Sequence, residues 1–248
     1  MPQSNIDLGG RVALVTGGSR GIGRAIAEAL ADAGADVAIN CHQRVERGEA
    51  VAEKIRAAGR RAIVVAADVS VRQSVLDLVD RVGRELGSPD ILVNNAGIAT
   101  MRGVDDLDEA EFDRSIRVNL KSAFLCTQAV LPAMRARGWG RIVNISSAAA
   151  RAAGVVGVHY NAAKAGLEGL TRGYAARLAS AGVTVNAVAP GPVDTDMADA
   201  LRDTEAFKRI PVGRLGMPEE IAQVVLMVVA NAFLTGQTIG VNGGALLD

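Results

Sequence analysis

The sequence is short of aromatic side chains, cysteine, histidine and net charge. Aromatics make up 3% of its 248 residues, with one tryptophan, two tyrosines and four phenylalanines. So few rings argue against the stacking platforms that hold single-stranded nucleic acid. The 27 basic and 27 acidic residues balance, and no net field draws the chain to nucleic acid or an acidic membrane. Cys41 and Cys126 stand far apart and fit no metal or redox spacing. They read as reduced thiols of a cytoplasmic protein. His42 and His159 are too few for a histidine-rich metal site and read as loop or helix-face residues, so no metal is expected. Long hydrophobic runs are missing too. The longest, VVLMVVA at 224–230, is too short to span a bilayer. The opening MPQSNIDLGGR lacks a basic start followed by an apolar core, so no signal peptide is expected.

What is present is apolar content of 49%, enough for a large core at this length. It is arranged as strands alternating with helices. RVALVT (11–16) reads as a strand, followed by glycines and a helix with Ile22, Ile26 and Leu30 at four-residue intervals, stopping at Gly34. Further strands are expected at 36–40, 62–70, 90–97, 141–147, 183–190 and 236–244. Ser70 is expected to cap a helix with an apolar stripe of Val71, Val75, Leu78, Val82 and Leu86. A long helical stretch at 108–137 is expected to kink or divide at Pro132. The polar segment 194–214 reads as a mobile lid, and a helix follows from Pro218 to about Asn231. Such alternation implies βαβ units and a mainly parallel sheet covered on both faces. With no linker, repeat or low-complexity tail, residues 1–248 read as one domain.

Two stretches carry chemistry. In VHYNAAKAG (158–166), Tyr160 stands four residues before Lys164, so a helix would place them one turn apart on one face. An ammonium beside a phenol favours the phenolate, and the pair is expected to bring the Tyr160 pKa down from about 10 towards neutrality. A phenol so tuned could exchange a proton at working pH. The other stretch, TGGSRGIG (16–23), lies between the first strand and the first helix. Its glycines let the backbone approach a pyrophosphate, and the helix N-terminus adds free N–H groups. Dinucleotide sites for NAD carry an acid at the end of the second strand. Here that end reads NCHQR (40–44), with no carboxylate, and Asp36 lies before the strand. Arg20, helped by Arg44, is placed to meet a 2′-phosphate. NADP(H) is therefore favoured, with NAD(H) as the alternative.

These stretches, with NNAG (94–97), NISS (144–147), YNAAK (160–164), PGPVDT (190–195) and the ending TGQTIGVNGG (235–244), resemble the short-chain dehydrogenase/reductase family over nearly the whole length. The resemblance is strongest to its 3-oxoacyl-[acyl-carrier-protein] reductase branch. It implies a single-domain Rossmann-type, doubly wound parallel α/β sheet of about seven strands. It implies Tyr160 as general acid, Lys164 tuning it and holding the nicotinamide ribose, and Ser147 (with Ser146 the alternative) binding the carbonyl oxygen. Asn119 would organise a water relay. Gly17, Ser19, Arg20, Gly21, Ile22 and Gly23 would hold the phosphate end of the cofactor, which Asn40 would also contact. Asp68, Val69, Asn95, Ala96 and Gly97 would hold the adenosine end. Pro190, Gly191, Val193 and Thr195 would meet the nicotinamide end. The implied activity is NADPH-dependent reduction of a 3-oxoacyl thioester. Alternatives are another alcohol or ketone (sugar, polyol, steroid or xenobiotic) and, further off, a non-catalytic NADP(H) sensor. A homotetramer is implied, with the long helix and the last strand as interfaces. Arg102 and Lys121 could meet an acidic carrier protein.

Overall fold

The computed structural model describes residues 6–196 and 210–247. Short valine-, alanine- and isoleucine-rich runs form β1 (Val12–Val15), β2 (Asp36–Cys41), β3 (Ala62–Ala66), β4 (Ile91–Asn94), β5 (Gly140–Ile145), β6 (Val183–Pro190) and β7 (Thr238–Val241). They make one sheet in the order β3-β2-β1-β4-β5-β6-β7. Every adjacent pair is parallel. The helices are α1 (Gly21–Asp32), α2 (Val45–Ala57), α3 (Arg72–Glu85), α4 (Glu109–Ile116), α5 (Ser122–Arg137), α6 (Val158–Leu178) and α7 (Pro218–Ala230).

Alternation along the strands feeds two cores. On one face Ala13, Val15, Val37, Ile39, Ile91, Val93, Val143 and Ile145 meet Ile26 and Leu30 of α1, Val51 and Ile55 of α2, and Ile221 and Val225 of α7. On the other, Val12, Leu14, Leu92, Ile142, Val183 and Val185 meet Val75 and Leu78 of α3, Val130 and Met134 of α5, and Leu178 of α6. A strand buried on both faces is favoured by apolar residues at most positions, which is why these runs are predominantly apolar, with a few buried polar residues such as Asn40, Asn144 and Asn186. The result is a Rossmann-type doubly wound sheet. Its strand order reverses direction between β1 and β4. At such a switch point the loops leaving the strand C-termini diverge and open a crevice.

Three local expectations are corrected. Ser70 does not cap α3: the capping position is Val71, without a side-chain bond, and the Ser70 N–H donates to Asp68 Oδ1 at 2.8 Å. Val71 is exposed, while Val75, Leu78, Val82 and Leu86 are buried as the stripe requires. The long helical stretch starts as expected at Asp108, whose Oδ1 accepts from the Glu111 N–H at 2.8 Å. It does not divide at Pro132, which sits inside α5. The break is a π-helical turn, Arg117–Lys121, centred on Asn119. Such turns concentrate at functional sites. Of the expected lid, residues 197–209 lie outside the described residues.

Candidate active site

Glycine backbone builds the floor of the crevice. Gly17 has φ +63° and Gly21 φ +50°, a region that side chains with a Cβ seldom enter. A Cβ on Gly23 would stand 2.3 Å from the Gly17 carbonyl oxygen. Arg20 offers α1 no side-chain cap, and no acid sits in the first turn. That leaves a bare helix N-terminus facing the crevice, which suits an anion. Ser19 and Ile22 flank it, partly exposed. The residues present fit a dinucleotide pyrophosphate.

The loop is fastened from three sides. Asn40, buried at the end of β2, accepts from the Gly17 N–H at 3.4 Å and donates to the Val65 and Ala67 carbonyls at 3.2 and 3.1 Å. Its side chain therefore supports the loop from beneath. Asn95 donates from Nδ2 to the Thr16 and Gly17 carbonyls at 2.9 and 3.0 Å. Thr16 Oγ1 accepts from the N–H groups of Asn95 and Ala96. The composition of the loop gives no sign of this threonine's role. Across the crevice, Thr195 stands over Gly21, its Cγ2 3.2 Å from where a Cβ there would lie. Pro190 ends β6, the Gly191 N–H donates to the Val241 carbonyl at 2.9 Å, and Val193 is buried. At the far end of the crevice Val69 is buried beside a half-exposed Asp68. Burial acts to raise the Asp68 carboxyl, but the bonds from Ser70, with His42 and Arg117 nearby, hold it below the usual range.

Arg20 donates to Asp196 Oδ2 at 3.3 Å, and Arg47 from α2 donates to the same oxygen at 3.2 Å. Arg47 carries no motif and escapes sequence reading. Arg44, expected to assist Arg20, is the left-handed residue ahead of α2, with φ +58°. Asp36 is committed to structure, its carboxylate bonded to Arg60 at 2.9 Å and to Arg61 at 2.8 Å.

The chemistry-bearing residues converge at the ends of β4 and β5. Tyr160 and Lys164 lie one turn apart on α6, with the Lys164 Nζ 5.6 Å from the centre of the Tyr160 ring. Ser147 follows β5, and its side chain lies beside the Tyr160 phenol, where it acts to lower the phenol's pKa. Ser146 turns away, its Oγ 3.3 Å from both the Lys164 carbonyl and Glu168 Oε1. The structure thus selects Ser147 over Ser146 as the serine beside the phenol. Asn119 is buried in the π turn. It accepts from the Ile98 N–H at 2.9 Å and donates to Ser115 Oγ at 3.1 Å. Gly97 joins the two halves: a Cβ there would meet Asn119 Oδ1 at 2.7 Å and Lys164 Nζ at 3.7 Å.

The expected tuning of Tyr160 is corrected. Lys164 is buried and its Nζ donates to the Ile145 carbonyl at 2.9 Å rather than to the phenol. Burial pushes Tyr160 up to about 12, although the neighbouring Ser147 opposes it. Burial also pushes Lys164 down to about 8. Burial therefore favours the protonated phenol and the neutral amine. A stability prediction follows from the lysine. Above its folded pKa and below the unfolded value of about 10.4, only the unfolded chain keeps the proton, so stability rises with pH in that window. Wild type should gain about 2 kcal/mol over Lys164→Met between about pH 7.5 and 9.5. Urea unfolding of both proteins at the two pH values checks this. A constant difference would show Lys164 charged in the fold throughout.

Comparison with known proteins agrees with this geometry. The family model described as short chain dehydrogenase matches residues 11–206. Nodulation protein G of Azospirillum brasilense is 42% identical over 239 residues, covering 94% of this chain and 97% of that protein. The 3-oxoacyl-[acyl-carrier-protein] reductase FabG of Pseudomonas aeruginosa is 42% identical over 248 residues, covering 98% of this chain and all of that one. Among solved structures, one from Agrobacterium tumefaciens, provisionally titled a gluconate dehydrogenase, superposes with a TM-score of 0.92 at 39% identity, covering 98% of each chain. A doubly wound sheet, a glycine loop at its switch point and a serine–tyrosine–lysine cluster beside it coincide with this likeness, and the chain belongs to the short-chain dehydrogenase/reductase family, as a nicotinamide-dependent oxidoreductase acting on CH–OH and C=O groups.

Proposed function

We propose that this protein is an NADPH-dependent carbonyl reductase whose substrate is a 3-oxoacyl thioester carried on an acidic acyl carrier. The observation that carries the reading is the Ser147 side chain beside the Tyr160 phenol, with the buried Lys164 one turn on along α6. The glycine loop, Asn95–Gly97 and the 190–195 segment would hold a nicotinamide cofactor, which when bound would supply a hydride for the carbonyl carbon. Tyr160 gives its phenolic proton to the carbonyl oxygen as charge develops there, and Ser147 orients that oxygen by hydrogen bonding. Burial keeps the phenol protonated across neutral pH. Lys164, able to lose a proton near pH 8, returns one to the phenolate through a relay organised at Asn119. The products are a 3-hydroxyacyl thioester and the oxidised cofactor.

The preference for NADP(H) rests on charge. No carboxylate waits at the end of β2 for a ribose hydroxyl, and Arg20 and Arg47 already share one carboxylate oxygen beside the glycine loop. A 2′-phosphate there would meet the same two guanidinium groups. Arg20→Ala should weaken NADPH binding about tenfold, the worth of one charge-assisted hydrogen bond, and leave NADH binding within about twofold. Fluorescence titration of both nucleotides checks this. Equal weakening of both would place Arg20 elsewhere.

A second substrate reading is favoured by the solved relative titled a gluconate dehydrogenase: oxidation or reduction of another small alcohol or ketone. Comparing kcat/KM for a 3-oxoacyl thioester with those for sugar acids, polyols and simple ketones separates the readings. Greater efficiency on a non-thioester would replace the first with the second. The reading includes a single-domain cytoplasmic homotetramer. Phe233, fully exposed at 100%, and the exposed Phe124 of α5 are apolar surface suited to subunit contact. Arg102 and Lys121 stand exposed for the carrier. A monomer by light scattering would contradict the assembly.

A further inference from the structure

Glu168 is a buried carboxylate with no part in the chemistry above. It stands at 4% exposure on α6, one turn past Lys164 and two past Tyr160. A carboxylate seldom sits on the core face of a helix unless something there holds it. Its Oε1 lies 3.3 Å from Ser146 Oγ, and its Oε2 accepts from Arg151 Nε at 3.1 Å. Those two partners bracket the short turn that carries Ser147. Ser146 ends the strand side, tied to β6 through its N–H to the Val188 carbonyl at 2.7 Å. Arg151 closes the far side, directly after the 3-10 turn Ala148–Ala150. From the same helix Asn161 Nδ2 donates to the carbonyls of Ala149, Ala152 and Ala153, each at 2.7 Å. The turn bearing Ser147 is thus pinned to α6 at two points, and α6 also carries Tyr160 and Lys164.

We propose that Glu168 is a positioning residue: its carboxylate bridges Ser146 and Arg151 and so sets Ser147 against Tyr160. This rests on the reading that Ser147 and Tyr160 perform the proton chemistry. Asn161 holds the later part of the turn and the Val188 and Lys164 carbonyls hold Ser146, so loss of Glu168 removes the side-chain tie that spans both ends and loosens the turn between them. A shift of about 1 Å in a reacting group is enough to cost on the order of a hundredfold in rate. The nucleotide is held by other residues and its binding is spared.

The test compares Glu168→Ala, Glu168→Gln, Arg151→Ala and the double alanine variant in thioester reduction. Glu168→Ala and Arg151→Ala should each lower kcat at least about tenfold with NADPH affinity within about twofold. Glu168→Gln, whose Oε1 can still accept from Arg151 while its Nε2 donates to Ser146 Oγ, should recover most of the rate. The double variant should be no slower than the slower single one, because both act through one unit. If Glu168→Ala fails to fold, Arg151→Ala and Glu168→Gln decide the matter. Unchanged kcat in the folded alanine variants would overturn the proposal, as would equal losses in kcat and NADPH binding. Tyr160→Phe run alongside separates the two levels. Full activity in that variant sinks the underlying reading, whereas its inactivity beside an unaffected Glu168→Ala sinks only the positioning role.

Discussion

Tyr160→Phe is expected to lower kcat by roughly two to four orders of magnitude, the range a positioned general acid supplies. NADPH affinity should stay within about threefold. The substitution keeps the ring and its packing and removes only the hydroxyl that Ser147 meets. Lys164 holds its place independently, through the Ile145 carbonyl at 2.9 Å, so the loss falls on proton delivery and not on architecture. Single-turnover reduction with saturating nucleotide isolates that step. A variant that binds NADPH and reduces substrate at the wild-type rate would move the proton donor elsewhere.

Gly23→Ala should abolish nucleotide binding, weakening it at least about a hundredfold. The added methyl would lie 2.3 Å from the Gly17 carbonyl oxygen and 2.4 Å from Asn95 Nδ2. Neither neighbour can yield cheaply. Asn95 Nδ2 donates to that same Gly17 oxygen and to the Thr16 carbonyl, so retreat from the methyl breaks the bonds that shape the loop. Overpacking costs about 1–3 kcal/mol and each lost hydrogen bond about 1 more. A drop in stability of about 2–4 kcal/mol should therefore accompany the lost affinity. Gly83→Ala is the control. It lies inside α3 with nothing within 4 Å of the new methyl, and should bind normally while gaining about 0.5–1 kcal/mol. Isothermal titration and urea unfolding read both effects. Normal binding by Gly23→Ala would mean that the glycine loop is not the phosphate cradle.

The strands, their order along the chain and the serine–tyrosine–lysine cluster are legible in the sequence because they depend on local pattern. A buried parallel strand is predominantly apolar, as at 12–15, and a helix sets Tyr160 and Lys164 one turn apart whatever surrounds them. What stays hidden depends on neighbours distant in sequence. A lysine one turn on predicts an acidified tyrosine, but that lysine donates to a carbonyl on β5 and burial acts on both groups. Glu168 reads as one more charge on a helix until the turn after β5 folds onto it. Arg47 becomes part of the site only when α2 packs beside the glycine loop. The π turn at Asn119 has no periodic signature, and Pro132 draws attention to the wrong place. Val71 continues an apolar pattern past the point where the helix begins, so it faces solvent.

The most direct measurement is loss of reduced-nicotinamide absorbance when acetoacetyl thioester is added to the purified protein with NADPH or, separately, with NADH. Rapid oxidation of NADPH, with NADH far slower, is the result expected for a thioester reductase reading the 2′-phosphate through Arg20. Faster oxidation of NADH would contradict the cofactor assignment, and no oxidation of either would contradict the 3-oxoacyl thioester as substrate.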